Sequence, residues 1–264
     1  MEIIIFKDRD RAGEYAAALI AAVTEECAAA GRSAVWGVAT GSSPESTYQH
    51  LQKRVAAGLD VSEVKAFALD EYVGLDPTHP ESYRSVIEAE VVKKVGLAPQ
   101  NVHVLDGMAS DIPSECANYE QKIKAACGVD VQILGIGANG HIGFNEPGSS
   151  LASRTRIKTL APKTVADNAR FFDGDTSRVP VHCLTQGIGT IMEARKIVLV
   201  ADGPNKAAAV ASMAEGPIST MCPGSVLQLH PNVTVVLDEA AASELKLKEY
   251  YNFAQENIPD FQRP

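Results

Sequence analysis

The sequence of 264 residues predicts an α/β protein in which helices cover both faces of an open, largely parallel sheet, as in doubly wound, Rossmann-like folds. Seven short runs rich in β-branched residues alternate with stretches of helical period, which is typical of parallel sheets. No low-complexity segment or Pro/Gly/Ser-rich linker divides the chain, so we interpret residues 1–264 as a single domain. The predicted strands are 2–6, 34–39, 64–69, 102–105, 131–136, 196–201 and 233–237.

The helices between these strands have recognisable end signals. Asp8 is suited to cap the first helix, and Gly31 to end it. Pro44 suits the first turn of the second helix. A further helix is predicted to begin near Glu81 and to end at Gly96.

Composition and charge exclude several classes of partner. Lys and Arg total 24 against 33 Asp and Glu, so a net charge of -9 argues against a broad basic surface for nucleic acid or anionic membranes. The longest apolar run, 16–23, is well short of the ~20 residues of a membrane-spanning helix, and the start of the chain lacks the basic segment of a secretory signal. We therefore expect a cytoplasmic protein without a membrane or nucleic-acid partner. Five scattered cysteines without a C-x-x-C pair predict reduced thiols.

Polar residues concentrate in the loops that follow predicted strands. In an open parallel sheet, ligands bind beyond the carboxyl ends of the strands, so these loops are expected to meet at one edge. The relevant loops are 40–43, 70–72, 137–147 and 202–206.

The first of these loops has the features of a phosphate site. Gly41 and Ser42 precede a helix, where a hydroxyl, free backbone N–H groups and the helix dipole favour an anion. Lys206, near the start of another helix, would add a positive charge. Taken alone, Ser42 also fits an ordinary helix cap, and Lys206 a solvated surface lysine.

Residues 135–140, GIGANG, match the G-x-G-x-x-G spacing of dinucleotide-binding loops. Such a fingerprint opens a helix immediately, whereas the following segment contains Gly143, Pro147 and Gly148 and has no helical period. We therefore interpret the glycines as allowing a tight loop around a small ligand. Nicotinamide binding is a weaker alternative.

The same loop and its neighbour bring together residues suited to proton transfer. His141 and Glu146 lie in loop 137–147, and Asp70 follows an adjacent strand. Two acids and an imidazole around one pocket can act as a general acid and base. Each also has a structural interpretation: Asp70 as a turn cap, His141 as a packing residue and Glu146 as a loop brace. Asp, His and Glu side chains can also bind a metal, but no H-x-x-x-H or comparable ligand pair is present, so a metal site is a weaker alternative and none is predicted.

Four segments closely resemble the glucosamine-6-phosphate deaminase family, and the similarity extends over essentially the whole chain. This resemblance implies isomerisation and deamination of glucosamine 6-phosphate to fructose 6-phosphate and ammonia, without an organic cofactor or metal. The matching segments are LDEYVGL at 69–75, HPESY at 79–83, GIGANGHIGFNEPGSSLASRTRIKTL at 135–160 and ARFF at 169–172.

The resemblance also implies roles for individual residues. Asp70 matches the enolisation base, His141 the ring-opening histidine and Glu146 the acid that supports this histidine. The fourth catalytic position, an aspartate in some members, is Asn139 here. An amide cannot take a proton, but it can orient His141 through hydrogen bonds. The phosphate-binding positions of the family match Gly41, Ser42, Arg170 and Lys206.

A second set of matching positions concerns regulation. Ser149, Arg156 and Lys158 match the site that binds the activator N-acetylglucosamine 6-phosphate in hexameric members. The tyrosine that completes this site does not align cleanly with Tyr250 or Tyr251, so weak or absent activation is expected. The alanine-rich helix faces suit packing within the chain or between subunits, which leaves a homo-oligomer open.

Two other functions are compatible with parts of the pattern. A 6-phosphogluconolactonase resembles this family in fold and in its glycine-rich loop, but it typically has an apolar run after the histidine where this chain has IGFNEPG. A non-catalytic sugar-phosphate sensor would keep Ser42 and Lys206, yet it would not need Asp70, His141 and Glu146 together.

Overall fold

A computed structural model describes residues 1–260 and 263–264, which form ten strands and eight α-helices joined by short 3₁₀ turns. The strands are β1 (Glu2–Phe6), β2 (Val35–Val38), β3 (Lys65–Ala68), β4 (Asp70–Tyr72), β5 (Val102–His103), β6 (Val131–Leu134), β7 (Arg156–Thr159), β8 (His182–Thr185), β9 (Lys196–Ala201) and β10 (Val233–Asp238). The helices are α1 (Arg9–Ala29), α2 (Glu45–Ala56), α3 (Tyr83–Ile87), α4 (Ile112–Ala125), α5 (Pro162–Asn168), α6 (Ile188–Ile191), α7 (Ala207–Glu215) and α8 (Lys248–Glu256).

The large sheet contains all seven predicted strands, and every pairing in it is parallel. Its order is β1-β10-β9-β6-β2-β3-β5. From β2 the chain proceeds outward through β3 to β5, then returns to the middle at β6 and proceeds the other way through β9 to β10. The loops after β2 and β6 therefore diverge, and they open the crevice at which doubly wound sheets bind ligands. The predicted fold class is confirmed.

The helix ends largely follow the predicted signals. The Asp8 side chain accepts a hydrogen bond from the N–H of Arg11 and caps α1, and Gly31 adopts a φ of +71° just beyond the end of that helix. Pro44 is the residue immediately before α2 rather than part of its first turn. Ser82 caps α3, which continues as a π-helical segment, Glu88–Val95, and ends at Gly96.

A second, antiparallel sheet with the order β4-β8-β7 was not predicted. The sequence analysis assigned Asp70 to a loop after a strand, but Asp70 begins β4 and is paired with Thr185 of β8. Leu69 is the junction, because its N–H donates to Val38 of the large sheet while its carbonyl accepts from Gln186 beyond β8. The small sheet has its own apolar cluster, which includes Tyr72, Phe144, Leu160, Phe172 and Cys183.

No described helix is both long and apolar enough to cross a membrane. All five cysteines lie in the described part of the chain, and all are unpaired.

Candidate active site

Three of the predicted polar loops and Asp70, at the start of β4, meet in one crevice at the carboxyl edge of the large sheet. The loops after β2, β3, β6 and β9 each contribute to its wall, together with the segment that follows α5. This arrangement confirms the expectation that they share an edge. The polar and charged side chains lining the crevice include Ser42, Asp70, Tyr83, His141, Arg170 and Lys206.

One end of the crevice is open and positively charged. Gly41 has a φ of +92°, a backbone conformation that favours glycine, and it turns the chain so that Ser42 is exposed at the start of α2. Lys206 ends the 3₁₀ turn that leads into α7, and Arg170 lies in the turn after α5. The structure thus brings all four predicted phosphate-binding residues to the same end.

The two cations at this end are close enough to affect each other. Burial lowers the pKa of Lys206, and the positive charge of Arg170 lowers it further. The guanidinium of Arg170 lies over the ring of Phe171, 4.7 Å from its centroid. Within the described part of the chain, neither cation forms an ion pair with a carboxylate. Two neighbouring cations without carboxylate partners form a site suited to a phosphate.

Arg9 also belongs to this end, although the sequence analysis did not identify it. Its guanidinium donates hydrogen bonds to the carbonyl of Ser42 and to the carboxylate of Glu45, the latter at 2.8 Å. It also lies beside Asp202, with 3.9 Å between Nε and Oδ2. An arginine in the first turn of α1 has no sequence signal for this role, because the contacts come from loops 33 and 193 positions away along the chain.

The other end of the crevice is buried, and Asp70 is its central acid. The Asp70 side chain is only 6% exposed, and its carboxylate receives no hydrogen bond from the described residues. Burial raises the pKa of Asp70 to about 8, with a further contribution from the negative charge of Glu71. An unperturbed aspartate, with a pKa of ~3.9, would be ionised at neutral pH, whereas much of the buried Asp70 is protonated there.

Glu71, the next residue after Asp70, links the start of α3 to β4 through hydrogen bonds. Its buried carboxylate accepts hydrogen bonds from the backbone N–H groups of Tyr72, Tyr83 and Arg84, at 2.8, 3.0 and 2.8 Å. Two of these donors are the first free N–H groups of α3. Glu71 therefore fastens α3 to β4 and places Tyr83 in the crevice beside Asp70.

His141 lines the same crevice as Asp70 and belongs to the loop that follows β6. Its Nδ1 atom is 3.6 Å from Oε2 of Glu146, beyond hydrogen-bonding distance, and has no partner among the described residues. Although burial opposes ionisation of Glu146, interactions with His141, Thr164 and the N–H of Ala161 lower the pKa of Glu146 to about 2. Glu146 is therefore ionised and presents its carboxylate to Nδ1 of His141.

Asn139 forms hydrogen bonds with both Glu146 and His141. Its amide nitrogen donates to Oε2 of Glu146 at 2.7 Å, and its amide oxygen accepts from the backbone N–H of His141 at 3.2 Å. The sequence predicts that Asn139 orients His141 through hydrogen bonds. The observed bonds reach the carboxylate and the backbone of His141 instead, so any effect on the ring is indirect.

Close packing fixes the loop that contains His141. A Cβ atom on Gly137 would lie 2.2 Å from the His141 ring, so only glycine fits there. The N–H of Phe144 donates to Thr185 Oγ1, and Asn145 donates to the carbonyls of Ile142 and Gln186. The loop is thereby attached to β8, next to Asp70.

A chain of aromatic and amide groups forms the remaining wall. Asn168 donates to the hydroxyl of Tyr72 at 2.9 Å, and the hydroxyls of Tyr72 and Tyr83 are 3.3 Å apart. The rings of Tyr83 and Phe144 stack with centroids 5.8 Å apart. Sequence reasoning missed these residues because aromatic side chains at this spacing are also typical of a core.

The predicted regulatory residues lie near the small sheet. Arg156 and Lys158 occupy alternate positions of β7, and Arg156 donates to the side chain of Asn145 at 2.9 Å. The buried hydroxyl of Ser149 has no hydrogen-bond partner among the residues described. Tyr250 and Tyr251 lie on α8, which packs against β1 of the large sheet.

Two other features of the sequence concern cofactors. No helix opens after the glycines of 135–140, and the next α-helix in the chain is α5. This is the context that argued against a dinucleotide site. In residues 1–260 and 263–264, no group of three or more His, Cys, Asp or Glu side chains is arranged to hold a metal ion.

The fold and the crevice define a doubly wound α/β protein whose switch-point crevice is lined by two neighbouring cations, Arg170 and Lys206, and by Asp70 and His141. Residues 7–236 match the family described as glucosamine-6-phosphate isomerases/6-phosphogluconolactonase, and the chain belongs to that family.

Relatives named as glucosamine-6-phosphate deaminases share more of their sequence with this chain than a solved 6-phosphogluconolactonase does. The chain is 55% identical to glucosamine-6-phosphate deaminase of Arthrobacter sp. (strain FB24) over 263 residues, 99% of each protein. It is 53% identical to glucosamine-6-phosphate deaminase of Mycolicibacterium smegmatis over 264 residues, again 99% of each. A solved monomeric glucosamine-6-phosphate deaminase has a TM-score of 0.88 and 38% identity, covering 92% of this chain and 100% of that one.

A 6-phosphogluconolactonase from Leishmania guyanensis shares only the fold. Its TM-score is 0.73 at 20% identity, with coverage of 91% of this chain and 97% of that one. The resemblance inferred from the sequence motifs is therefore confirmed, and the comparisons do not favour the lactonase alternative.

Proposed function

We propose that this chain is an enzyme that converts glucosamine 6-phosphate and water into fructose 6-phosphate and ammonia. The observation that carries this proposal is the shared crevice, in which the cations Arg170 and Lys206 lie at one end and Asp70 and His141 at the other. Relatives named for this reaction, with more than half of their residues identical, support the same conclusion.

The charged end orients the substrate. Ser42 and the turn at Gly41 offer a hydroxyl and backbone N–H groups, while Arg170 and Lys206 supply positive charge. A sugar phosphate held there extends its carbon chain towards Asp70 and His141. The net charge of -9 gives the protein no general attraction for a dianion, so this local cluster has to provide the binding energy.

Ring opening is assigned to His141. The imidazole takes the proton of the anomeric hydroxyl and returns a proton to the ring oxygen, which opens the sugar to its aldehyde. Glu146 stabilises the imidazolium formed during this transfer, because its own low pKa keeps it ionised. Asn139 holds Glu146 in place through the 2.7 Å hydrogen bond.

Isomerisation is assigned to Asp70. As a carboxylate it removes the proton from C2 of the open sugar and delivers it to C1, while one proton of the C2 ammonium group passes to the C1 oxygen. The C1 aldehyde thereby becomes a hydroxymethyl group, and the C2 ammonium becomes a protonated imine. The pKa of about 8 means that much of Asp70 is protonated in the free protein at neutral pH. The ammonium group at C2 of the bound substrate favours the ionised form of the acid. Water then adds to the imine, ammonia leaves, and fructose 6-phosphate remains.

The direct test is incubation with glucosamine 6-phosphate while ammonia and fructose 6-phosphate are measured together. Equal amounts of both products are expected. Phosphate-dependent binding without either product would support the sensor alternative. Release of an acid from 6-phosphogluconolactone, with no ammonia from the amino sugar, would support the hydrolase.

The setting of the enzyme is also part of the proposal. We place it in the cytoplasm, because five unpaired cysteines suit a reducing compartment. Residues 1–264 are proposed to act as one unit, since Asp70 sits where the large sheet passes into the small one.

A further inference from the structure

Arg9 links three segments that surround the charged end of the crevice. It begins α1, hydrogen-bonds the carbonyl of Ser42 and the carboxylate of Glu45, and lies beside Asp202 in the loop after β9. We call these four residues the Arg9 bridge. Ser42 and Lys206 belong to the two loops that the bridge connects, so Arg9 lies between the segments that carry two groups assigned to phosphate binding.

The contact between Arg9 and Asp202 is incomplete. Arg9 Nε and Asp202 Oδ2 are 3.9 Å apart, beyond the 2.7–3.2 Å that is normal for a hydrogen bond. Arg9 Nε and Asp202 Oδ1 are both buried and have no hydrogen-bond partner among the described residues. Unsatisfied buried groups are unfavourable, and an approach of about 1 Å by the loop after β9 would let Nε donate to Asp202.

Asp202 also poses an electrostatic problem for an anionic ligand. It lines the same cavity as Ser42, Arg170 and Lys206, so a bound phosphate meets a carboxylate near its cationic partners. Like charges at this range repel one another. Lys206 also feels the charge of Asp202, but Lys206 is assigned to the ligand, whereas Arg9 lies beside Asp202 and offsets that repulsion.

We propose that Arg9 is a positioning residue for the charged end of the crevice. Arg9 holds the Ser42 turn against the loop after β9 and neutralises Asp202. This inference rests on the proposed function. Binding of a phosphate ester draws the two loops together and completes the hydrogen bond between Arg9 and Asp202. Arg9 itself touches Ser42 through its carbonyl and leaves the hydroxyl free for the ligand.

Arg9→Ala tests this role with Arg11→Ala as a matched control. Arg11 lies on the same helix and pairs with Glu14, with no contact to Ser42. For Arg9→Ala, the Kd of inorganic phosphate from calorimetry and the KM of glucosamine 6-phosphate should both rise about 5- to 20-fold, with kcat changed less than about twofold. Arg11→Ala should match the wild type in all three quantities.

A second variant separates positioning from loss of folding. Arg9→Ala combined with Asp202→Asn should recover at least half of the lost phosphate affinity on a logarithmic scale, because the negative charge that Arg9 no longer offsets is gone. A purely structural defect would not be repaired this way. If Arg9→Ala fails to fold in a thermal melt, Arg9→Lys replaces it, and its phosphate Kd should rise about two- to fivefold because a lysine lacks the guanidinium fork.

Unchanged phosphate affinity in the folded Arg9 variant, or no recovery in the double variant, would overturn the inference alone. Failure of the wild-type protein to bind phosphate or to release ammonia would instead overturn the proposed function, and the inference with it.

Discussion

The two ends of the crevice differ in how far their charged side chains are exposed to solvent. We call the end with Ser42, Arg170 and Lys206 the phosphate end, and the end with Asp70, His141 and Glu146 the chemical end, after the roles proposed for them. At the phosphate end, Ser42 and Arg170 are exposed, and the surrounding loops connect through long polar side chains. At the chemical end, Asp70 and Glu146 are buried, and the structure shifts their pKa values in opposite directions. Exposure suits reversible capture of a charged group. Burial produces one acid with a raised pKa and one with a lowered pKa, which is the separation that acid–base catalysis uses.

The largest expected effect tests the chemical end. Asp70→Asn is nearly isosteric but removes the base, so we expect turnover to fall about 10²–10⁴-fold while substrate binding persists. Steady-state kinetics in heavy water, together with exchange of the C2 proton, measures this step.

Asp130→Asn is the control for loss of a buried carboxylate. Asp130 is buried and pairs with the exposed Arg32 and Arg195, and none of the three lines the crevice, so its variant should lose stability rather than turnover. Turnover of Asp70→Asn within a few fold of wild type would rule out Asp70 as the base.

The next effect tests the phosphate end. Replacing Arg170 or Lys206 with alanine should weaken glucosamine 6-phosphate binding about 10- to 150-fold, the range for loss of a charge-assisted hydrogen bond. Unphosphorylated glucosamine should be nearly unaffected. Comparing KM for the two sugars decides the point, and an equal proportional loss for both would contradict the assignment.

The pH dependence distinguishes the two ends in a single protein. Because burial raises the pKa of Asp70 to about 8, kcat/KM should fall about tenfold per pH unit as the pH drops below that value. The corresponding limb of kcat should lie at lower pH, since the substrate ammonium favours the ionised acid. Limbs below pH 6 in both profiles would show that Asp70 titrates normally.

The raised pKa of Asp70 also predicts that the stability of the folded protein depends on pH. Folded Asp70 binds its proton more tightly than the unfolded chain, whose pKa is ~3.9, so its contribution to the free energy of unfolding decreases as pH rises from about 4 to about 8. Asp70→Asn removes this contribution. Thermal melts should therefore show the variant gaining stability relative to wild type as the pH rises through this window.

A smaller effect is expected at Asn139, which touches the chemical end without entering the crevice. Asn139→Asp would place a second carboxylate against Oε2 of Glu146, so that one of the two acids retains a proton to higher pH. The pH profile should shift, while the maximal rate changes less than about tenfold. Rescue of an inactive wild type by Asn139→Asp would instead indicate that the chain had lost its chemistry.

The smallest effect is expected outside the crevice. Ser149, Arg156 and Lys158 offer a hydroxyl and two cations, but Tyr250 and Tyr251 lie on α8, against β1. Activation by N-acetylglucosamine 6-phosphate should therefore be weak or absent, because an effector must bind one conformation more tightly than another. Saturation curves with and without it provide the measurement. A sigmoidal curve that the effector makes hyperbolic, and that Lys158→Ala makes unresponsive, would contradict this prediction.

The sequence by itself determined the large parallel sheet and the four loops at its edge, because strand and helix periods are local properties of the chain. Its motifs also indicated the deaminase family and placed Asp70 and His141 beside Ser42 and Lys206. The small sheet was missed because β4 has only three residues and pairs with β8, more than a hundred positions away.

Only the tertiary structure decided the charge state of Asp70 and the contacts of Arg9. Desolvation of Asp70 depends on groups packed around it from β8 and from the His141 loop, where Gly143 runs past its carboxylate. Arg9 and Asp202 are far apart along the chain and meet only because β10 places β9 close to β1 in the large sheet. A residue's type and spacing predict which group is available, whereas its pKa and its partners depend on what folding places around it.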